Sequence, residues 1–201
     1  MRNKHRLIHH YIDLITVLTQ KDLKVRYKNS FLGYLWSIAH PLAFALVFFI
    51  AFKVVVKIRV ENYTLFLISG LFPWQWFANS VNGAPMIFIN NASIIKKVNF
   101  PKNVLVLTHV LQDMIHFLLA IPVIALFLII YGKAPSVSWC YGIPILLFIQ
   151  FFITYGLSII VASTNLFFRD LERLTMLFTT LLFYFTPIIY PEHMIPNHYN
   201  L

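Results

Sequence analysis

Residues 26–42 place two cations, Arg26 and Lys28, before interfacial aromatic residues and an uninterrupted apolar run over residues 42–52. Lysine and arginine stay in headgroup water, amphipathic rings such as that of Trp36 settle at the interface, and aliphatic side chains continue into hydrocarbon. This order predicts that a first membrane-spanning helix enters from the cytoplasmic side. The direction of every later span follows from it.

The composition excludes an ordinary soluble domain. Apolar and aromatic residues make up 59% of the 201 residues, only 11% are charged, and the mean hydropathy is +0.74. The net charge of +9 could suggest a nucleic-acid partner, but the cations flank apolar runs, so we expect membrane lipids and no nucleic acid. The single cysteine, Cys140, cannot form a disulfide framework or zinc cluster within the chain. The basic N-terminal region lacks a small-residue cleavage site, which predicts an uncleaved, cytoplasmic N-terminus.

An amphipathic helix is predicted within an interfacial region comprising residues 1–33. Apolar residues recur at helical spacing over residues 7–18, with polar residues on the opposite side. The apolar set is Leu7, Ile8, Tyr11, Leu14, Ile15 and Leu18, and the polar set is His9, His10, Asp13, Thr16 and Gln20. Because cations flank this helix, we expect it to lie on an anionic cytoplasmic leaflet. Packing on a soluble partner domain requires the same pattern and is the alternative.

Residues 34–201 carry five predicted spans, so the expected fold is an all-α polytopic membrane bundle. The predicted spans are residues 34–56, a second beginning near Thr64, then 104–131, 139–168 and 174–190. Pro73 and Pro85 predict that the second span is kinked or broken, with its freed backbone groups facing protein rather than lipid. Basic residues lie mostly in the loops predicted to be cytoplasmic, which supports this orientation.

The sequence contains no nucleotide-binding loop and no hydrolase or zinc-protease motif, so an energy source must come from another polypeptide. The strongest catalytic-looking group is His109, Asp113 and His116, which share one face of the third span. These residues could bind a metal or relay protons, but three ligands on one helix make a poor metal cage. The alternative is that they face a polar interior or a subunit interface, with Asp113 held by a histidine or an arginine.

Polar residues form one stripe on the fourth span and another on the fifth. A hydrated passage is the functional interpretation, whereas packing is the alternative, because such side chains also bond to helix carbonyls or let helices approach closely. The channel-lining candidates are Thr154, Ser158, Asn165, Thr175 and Thr179. The 20 Phe, 10 Tyr and 4 Trp could stack on sugar rings or serve as interfacial and lipid-facing residues.

A charged turn separates the fourth and fifth predicted spans, with Arg169 and Asp170 followed by Glu172 and Arg173. One interpretation is a self-neutralised cytoplasmic turn. The other is a cytoplasmic gate or an anion site, because arginine can clasp a diphosphate in bidentate fashion.

Five segments together resemble the membrane subunit of ABC-2 type polysaccharide exporters, the family that moves O-antigen, capsule or teichoic acid chains. Their order and spacing across nearly the whole chain carry the resemblance. The segments are Arg26-Tyr-Lys-Asn-Ser-Phe-Leu-Gly-Tyr-Leu-Trp-Ser with His40-Pro41, Ser69-Gly-Leu-Phe-Pro-Trp-Gln-Trp-Phe, Ile95-Lys-Lys-Val-Asn-Phe-Pro-Lys, Phe168-Arg-Asp-Leu and Thr186-Pro-Ile-Ile-Tyr-Pro.

The resemblance implies six spans per subunit, a second permease copy around a translocation channel, and a separate ATPase subunit that holds ATP and magnesium. It also implies a polyprenyl-diphosphate-linked polysaccharide as cargo and a location in the bacterial cytoplasmic (inner) membrane. No catalytic residue, cofactor or metal is then expected in this chain. A membrane-embedded enzyme that acts on a lipid-linked sugar through the His109 group is the hypothesis from another class.

The resemblance also assigns three sets of site residues. The ATPase-coupling set is Ile94, Ile95, Lys96, Lys97, Val98, Asn99, Phe100, Pro101 and Lys102. The cytoplasmic mouth is Arg26, Lys28, Arg169 and Asp170, and the external gate is Thr186, Pro187, Tyr190 and Pro191. The family continues through re-entrant helices and a sixth span, whereas Leu201 follows a fifth. This departure predicts a fragment, a truncated product or a protein that is non-functional as it stands.

Overall fold

The computed structural model describes residues 2–26, 33–55, 57, 62–134 and 136–191, and the regular structure in these ranges is helical. The predicted all-α fold is therefore confirmed. The helices are α1 (Arg2–Arg26), α2 (Trp36–Phe48), α3 (Tyr63–Gly83), α4 (Ile87–Asn90), α5 (Ala92–Lys97), α6 (Asn103–Ile130), α7 (Trp139–Thr164) and α8 (Leu171–Phe185). 3-10 turns occur at Gly33–Leu35 and Ala84–Met86, and a π-helical stretch at Phe49–Val55 follows α2.

In the described part of the chain, α6 and α7 are long and apolar enough to cross a membrane. At 1.5 Å per residue, their 28 and 26 residues extend about 42 and 39 Å, which exceeds a hydrocarbon core of about 30 Å. Only 17% of the most apolar window of each helix is buried, whereas a core helix of a soluble protein would be mostly buried. The two helices coincide with the third and fourth predicted spans, although α7 ends at Thr164 rather than at residue 168.

The first two predicted spans have different outlines in the structure. Within residues 34–56, the apolar helical stretch is Leu42–Ala51. It comprises the end of α2 and the start of the π-helical stretch, and it is shorter than a full span. Pro73 lies inside the continuous helix α3, whereas Pro85 lies in the 3-10 turn where α3 ends. The second predicted span is therefore broken at Pro85 and remains continuous through Pro73.

The predicted end of the fifth span at residue 190 is wrong, because α8 stops at Phe185. Its 15 residues extend only about 22 Å. Thr186 has extended backbone angles, with φ −85° and ψ 135°. A residue that precedes proline is disfavoured in the helical conformation by the proline ring, and Pro187 follows directly. Residues 186–191 instead pack against the rest of the chain and bury Ile188 and Ile189.

Two hydrophobic clusters hold the helices together. The first joins α2, α3, α6 and α8 and includes Leu67, Leu71 and Phe183. The second joins α1, α4, α6 and α7 and includes Leu18 and Val106. Because α6 contributes to both clusters, it is the central helix of the described chain.

The N-terminal helix extends over Arg2–Arg26, beyond the amphipathic pattern of residues 7–18. Leu14, Ile15 and Leu18 of its predicted apolar side pack in the second cluster. These residues therefore have a partner within their own chain. The interfacial placement of α1 stays a prediction, and residues 27–32 of the predicted N-terminal region lie outside the described residues.

Candidate functional site

The predicted coupling segment, residues 94–102, has apolar side chains packed against the bundle and an exposed part, residues 96–98, which we call the tip. Ile95 and Phe100 pack against the second hydrophobic cluster. Lys96 and Lys97, in the last turn of α5, are exposed, and the extended residue Val98 is 52% exposed. A protein that touched the tip could therefore transmit force to the helices beneath it.

Helix α1 contacts the residue that precedes α5. The Lys21 ammonium donates to Asn91 Oδ1 at 3.5 Å and lies 3.0 Å from the carboxylate of Asp22. The Asn91 side-chain nitrogen donates to the Ile87 carbonyl at 2.9 Å, which ties the start of α5 to α4. The contact with α1 joins two segments that the sequence analysis treats separately.

The predicted cytoplasmic mouth is described only in part. Arg169 and Asp170 are exposed in the turn before α8, and the Asp170 carbonyl accepts from the Arg173 and Leu174 amides at 3.1 Å. Within the described ranges, no ion pair forms among the charged side chains of this turn. Lys28 lies outside the described residues, and Arg26 is described only as the helical end of α1. The mouth stays a prediction.

Asp113 and His109 of the predicted histidine and aspartate group form a buried polar contact between α6 and α3. Asp113, which is 2% exposed, accepts a hydrogen bond from the Ser80 hydroxyl at 3.0 Å, and His109 Nε2 lies 3.7 Å from the same carboxylate oxygen. His116 is half-buried farther along α6. No group of three metal-ligating side chains occurs among the residues that the structure describes. This geometry agrees with the polar-interior interpretation.

Gly83 allows the His109 ring to approach α3. A Cβ atom at Gly83 would lie 2.5 Å from His109 Nε2 and 2.7 Å from Cε1. Real Cβ contacts are essentially never that short, so a side chain at this position would displace the imidazole. The absence of a side chain at Gly83 therefore makes room for the His109 ring beside α3.

The five predicted channel-lining side chains are buried inside the subunit. Thr154, Ser158 and Asn165 are fully buried, and Thr175 and Thr179 are 5% and 3% exposed. The Thr175 hydroxyl donates to the carbonyl of residue 171 in its own helix at 2.7 Å, as the packing alternative predicts. Their role in lining a channel stays a prediction.

Gln150 of α7 and Asn165, which directly follows α7, donate to the carbonyls of the two prolines of the second predicted span. Gln150 Nε2 donates to the Pro73 carbonyl at 2.7 Å, and Asn165 Nδ2 donates to the Pro85 carbonyl at 2.8 Å. A proline has no N–H, so the carbonyl that it leaves without a helical donor lies four residues earlier, at residues 69 and 81, and the bonds to the Pro73 and Pro85 carbonyls are separate side-chain contacts. Pro85 is fully buried, so the break at the end of α3 faces protein, as expected. The sequence prediction does not single out Gln150.

A groove of about 290 Å³ lies between α2, α3 and α8. Amides line its α3 side, and the Asn82 side-chain oxygen accepts from the Thr179 hydroxyl at 2.9 Å. The other walls are aromatic. The amides are Gln75, Asn79 and Asn82, and the aromatic residues are Phe44, Phe48, Trp74, Phe183 and Tyr184. The sequence prediction misses the amide stripe, although the i, i+4 and i+7 spacing of polar groups in an apolar span is a readable signal.

The predicted gate segment lies against the first turns of α3. The Tyr63 hydroxyl donates to the Ile189 carbonyl at 2.9 Å, and the Tyr190 hydroxyl donates to the Tyr184 carbonyl at 3.0 Å. Thr186 is half-buried and donates to a carbonyl of α8 at 2.7 Å, whereas Pro187 is exposed. These bonds hold residues 186–191 across the end of α8.

The helical architecture and two helices long and apolar enough to cross a membrane agree with an integral membrane protein. The chain belongs to the ABC-2 type transporter family, whose sequence model matches residues 13–199. Membership makes it a membrane component of a transporter and not an enzyme, so the enzyme hypothesis is not retained.

Three relatives extend this result, and each is named O-antigen export system permease protein RfbA. Two are from Klebsiella pneumoniae and are 53% and 54% identical over 188 residues, which is 94% of this chain and 73% of each relative. The third, from Myxococcus xanthus, is 35% identical over 187 residues, or 92% of this chain and 71% of the relative.

Proposed function

We propose that this chain is the permease subunit of an ATP-binding-cassette exporter that moves a lipid-linked O-antigen polysaccharide across the cytoplasmic (inner) membrane of a bacterium. The observation that supports this proposal most directly is sequence identity. The chain is 53% and 54% identical to two permeases named for O-antigen export, across 94% of its length. Their names describe part of an export system, which implies an ATPase partner. ATP and magnesium bind in that partner.

In the proposed topology the N-terminus is cytoplasmic, α1 lies at the membrane interface and the chain crosses the membrane five times. The contact between Lys21 and Asn91 supports this orientation, because it brings the basic segments α1 and α5 together. Basic segments concentrate on the cytoplasmic side of membrane proteins. Both segments then face the compartment where ATP is available.

The ATPase docks on the exposed tip formed by Lys96, Lys97 and Val98. Ile95 and Phe100 support the proposal. Both pack in the second cluster, which includes residues of α6 and α7, so a movement of the tip would displace these helices. Closure of the ATPase would push this segment and rock the spans. The carrier diphosphate enters beside Arg169, whose guanidinium is exposed and suits bidentate phosphate binding.

The polysaccharide passes between two copies of the permease along the groove of α2, α3 and α8. Aromatic faces such as that of Trp74 suit sugar rings, and the Gln75, Asn79 and Asn82 amides suit their hydroxyls. Residues 186–191 form the external gate. Thr154, Ser158 and Asn165 would reach the channel only if α7 moved away from α3 during transport.

Co-purification tests the proposed partner. The full-length permease, solubilised from its native host, should recover an ATPase subunit. Val98→Asp and Lys97→Glu should reduce that recovery, because both side chains are exposed at the tip, whereas Lys133→Glu, an exposed lysine in another loop, should not. Recovery of no ATPase by the wild-type protein would refute the proposed exporter.

Export by living cells tests the proposed cargo. Asn79→Leu removes an exposed amide from the groove and should reduce surface O-antigen on lipopolysaccharide gels while ATPase recovery stays normal. Phe152→Leu, an exposed α7 substitution outside the groove, is the control. Unchanged O-antigen in cells that lack the permease would rule out the proposed substrate.

A further inference from the structure

A second groove, of about 460 Å³, lies between α5, the start of α6 and the last turns of α7. We name it the α5–α7 groove. Its floor is apolar and includes Phe88, Ile95, Ile159 and Leu166, and Lys96 and Lys102 line it with exposed side chains. An apolar floor with cations at the edge is complementary to an amphiphilic anion.

The positive charge of the α5–α7 groove is uncompensated. Lys96 and Lys102 form no ion pair among the described residues, and no aspartate or glutamate of the described ranges lines the groove. Lys97 adds a further exposed cation beside it. The groove therefore favours an anionic ligand over a neutral one.

The floor continues along the flank of a membrane-length helix. Ile159 and Ser163 lie in the last turns of α7, and Leu166 lies in the turn that follows, so the three positions, at i, i+4 and i+7, follow one side over about 10 Å. The neighbouring apolar residues Ile160 and Phe167 are 62% and 82% exposed. An acyl chain could leave the groove along this mostly apolar side, whereas a segment of a soluble protein could not follow that path into hydrocarbon.

We propose that the α5–α7 groove binds an anionic glycerophospholipid, with its phosphate between Lys96 and Lys102 and an acyl chain along Ile159 and Leu166. Charge-assisted contacts from two ammonium groups select the anionic headgroup. The inference rests on the proposed function for one element, the cytoplasmic placement of α5, since the cytoplasmic leaflet carries a negative surface potential. A lipid in this groove would fill the space between the coupling segment and α7 and stabilise their relative position.

Lipid retention tests the proposed site. The full-length permease with its ATPase is reconstituted with equal amounts of phosphatidylglycerol and phosphatidylcholine and then extracted, and its retained lipid is counted by native mass spectrometry. The wild-type protein should retain phosphatidylglycerol selectively. The double variant Lys96→Gln, Lys102→Gln should retain about thirtyfold less, because each lysine near an anionic membrane surface contributes about 1 kcal/mol to lipid binding and the two together contribute about 2 kcal/mol. The matched control Lys57→Gln, Lys133→Gln removes the same charge at two exposed lysines outside the groove and should retain it normally.

A groove-filling variant separates the lipid site from general charge effects. Ser163→Trp leaves both lysines in place and should also lose the selectively retained lipid, while the elution profile and thermal unfolding midpoint show that the protein is folded. Equal retention of the two lipids, or equal retention by both double variants, would overturn the proposal. Loss of ATPase recovery by Ser163→Trp with its lipid retention intact would make the groove a protein-docking site and would equally overturn the proposal. If wild-type protein retains the lipid selectively without recovering an ATPase, the proposed function fails and the lipid site stands.

Discussion

At the scale of single residues, the bundle depends on contacts that allow little change in volume. The His109 ring lies against the backbone of α3 only because position 83 carries no side chain. Asp113, which is buried one turn from His109, accepts a hydrogen bond from the Ser80 hydroxyl across the same interface. The contact between α3 and α6 therefore combines the His109 ring beside Gly83 with a buried polar pair.

Gly83→Ala should lower the thermal unfolding midpoint in detergent and cost about 1 kcal/mol of stability, the low end of the usual cost of overpacking, because the atoms that the methyl group meets are the end of the His109 side chain. Adding His109→Ala should restore part of the loss by removing the ring that the new methyl group meets. Gly142→Ala is the control, since nothing lies within 4 Å of a Cβ at that position of α7. Equal midpoints for Gly83→Ala and Gly142→Ala would contradict the proposed contact.

Asn165→Leu should also lower the midpoint. It removes the donor to the Pro85 carbonyl, and an unpaired buried polar group costs about 1–3 kcal/mol. Thr180→Val is the control, because this exposed hydroxyl bonds only within its own helix, to the Met176 carbonyl at 2.7 Å. If the two variants unfolded at the same temperature, the Asn165 bond would contribute nothing to stability.

At the scale of helices, α1 behaves as part of the bundle. Leu18 is 7% exposed in the cluster that also contains the start of α6, whereas its neighbour Val17 is 62% exposed. Adjacent positions on one helix therefore differ sharply in environment. This contrast permits a matched test of whether α1 packs on its own chain.

Leu18→Asp should release α1, whereas Val17→Asp should leave it packed. A buried carboxylate and the lost apolar contact together cost about 2–3 kcal/mol, enough to raise the open population at least about tenfold. Trypsin cleavage after the exposed residues Lys21 and Lys24 measures that population. Equal cleavage rates in the two variants would show that α1 is not held by Leu18.

At the scale of the whole molecule, the proposed topology separates the α5 tip from the turn before α7. Val98 and Val137 are 52% and 83% exposed, so both positions accept a reporter cysteine. The natural cysteine, Cys140, is exposed and must be replaced by serine first. The two positions then report the two sides of the membrane.

Val98→Cys should react with a membrane-impermeant maleimide only in inverted membrane vesicles, and Val137→Cys should react only in intact spheroplasts. Each reporter serves as the control for the other. Labelling of both from the same side would contradict the five-span topology, and exchange of the two patterns would reverse the proposed orientation.

The long helices were the most predictable part of the fold. Residues 104–131 and 139–168 are apolar over more than a bilayer thickness, so composition alone locates α6 and α7 to within a few residues. The end of α8 was predicted less well, because apolar character continues past Thr186 while the proline that follows it stops the helix. Of the groove on α2, α3 and α8, only Thr179 was among the predicted channel residues.

By itself, the sequence determined the all-helical membrane class, the two longest spans and the family, because these depend on apolar length and on local motif order. Only the tertiary structure decided which polar groups meet. It paired Asn165 with Pro85, Gln150 with Pro73 and Lys21 with Asn91, residues that are 80, 77 and 70 positions apart. Such pairs depend on how helices pack across long stretches of chain, and a periodic pattern within one helix carries no information about the partner helix.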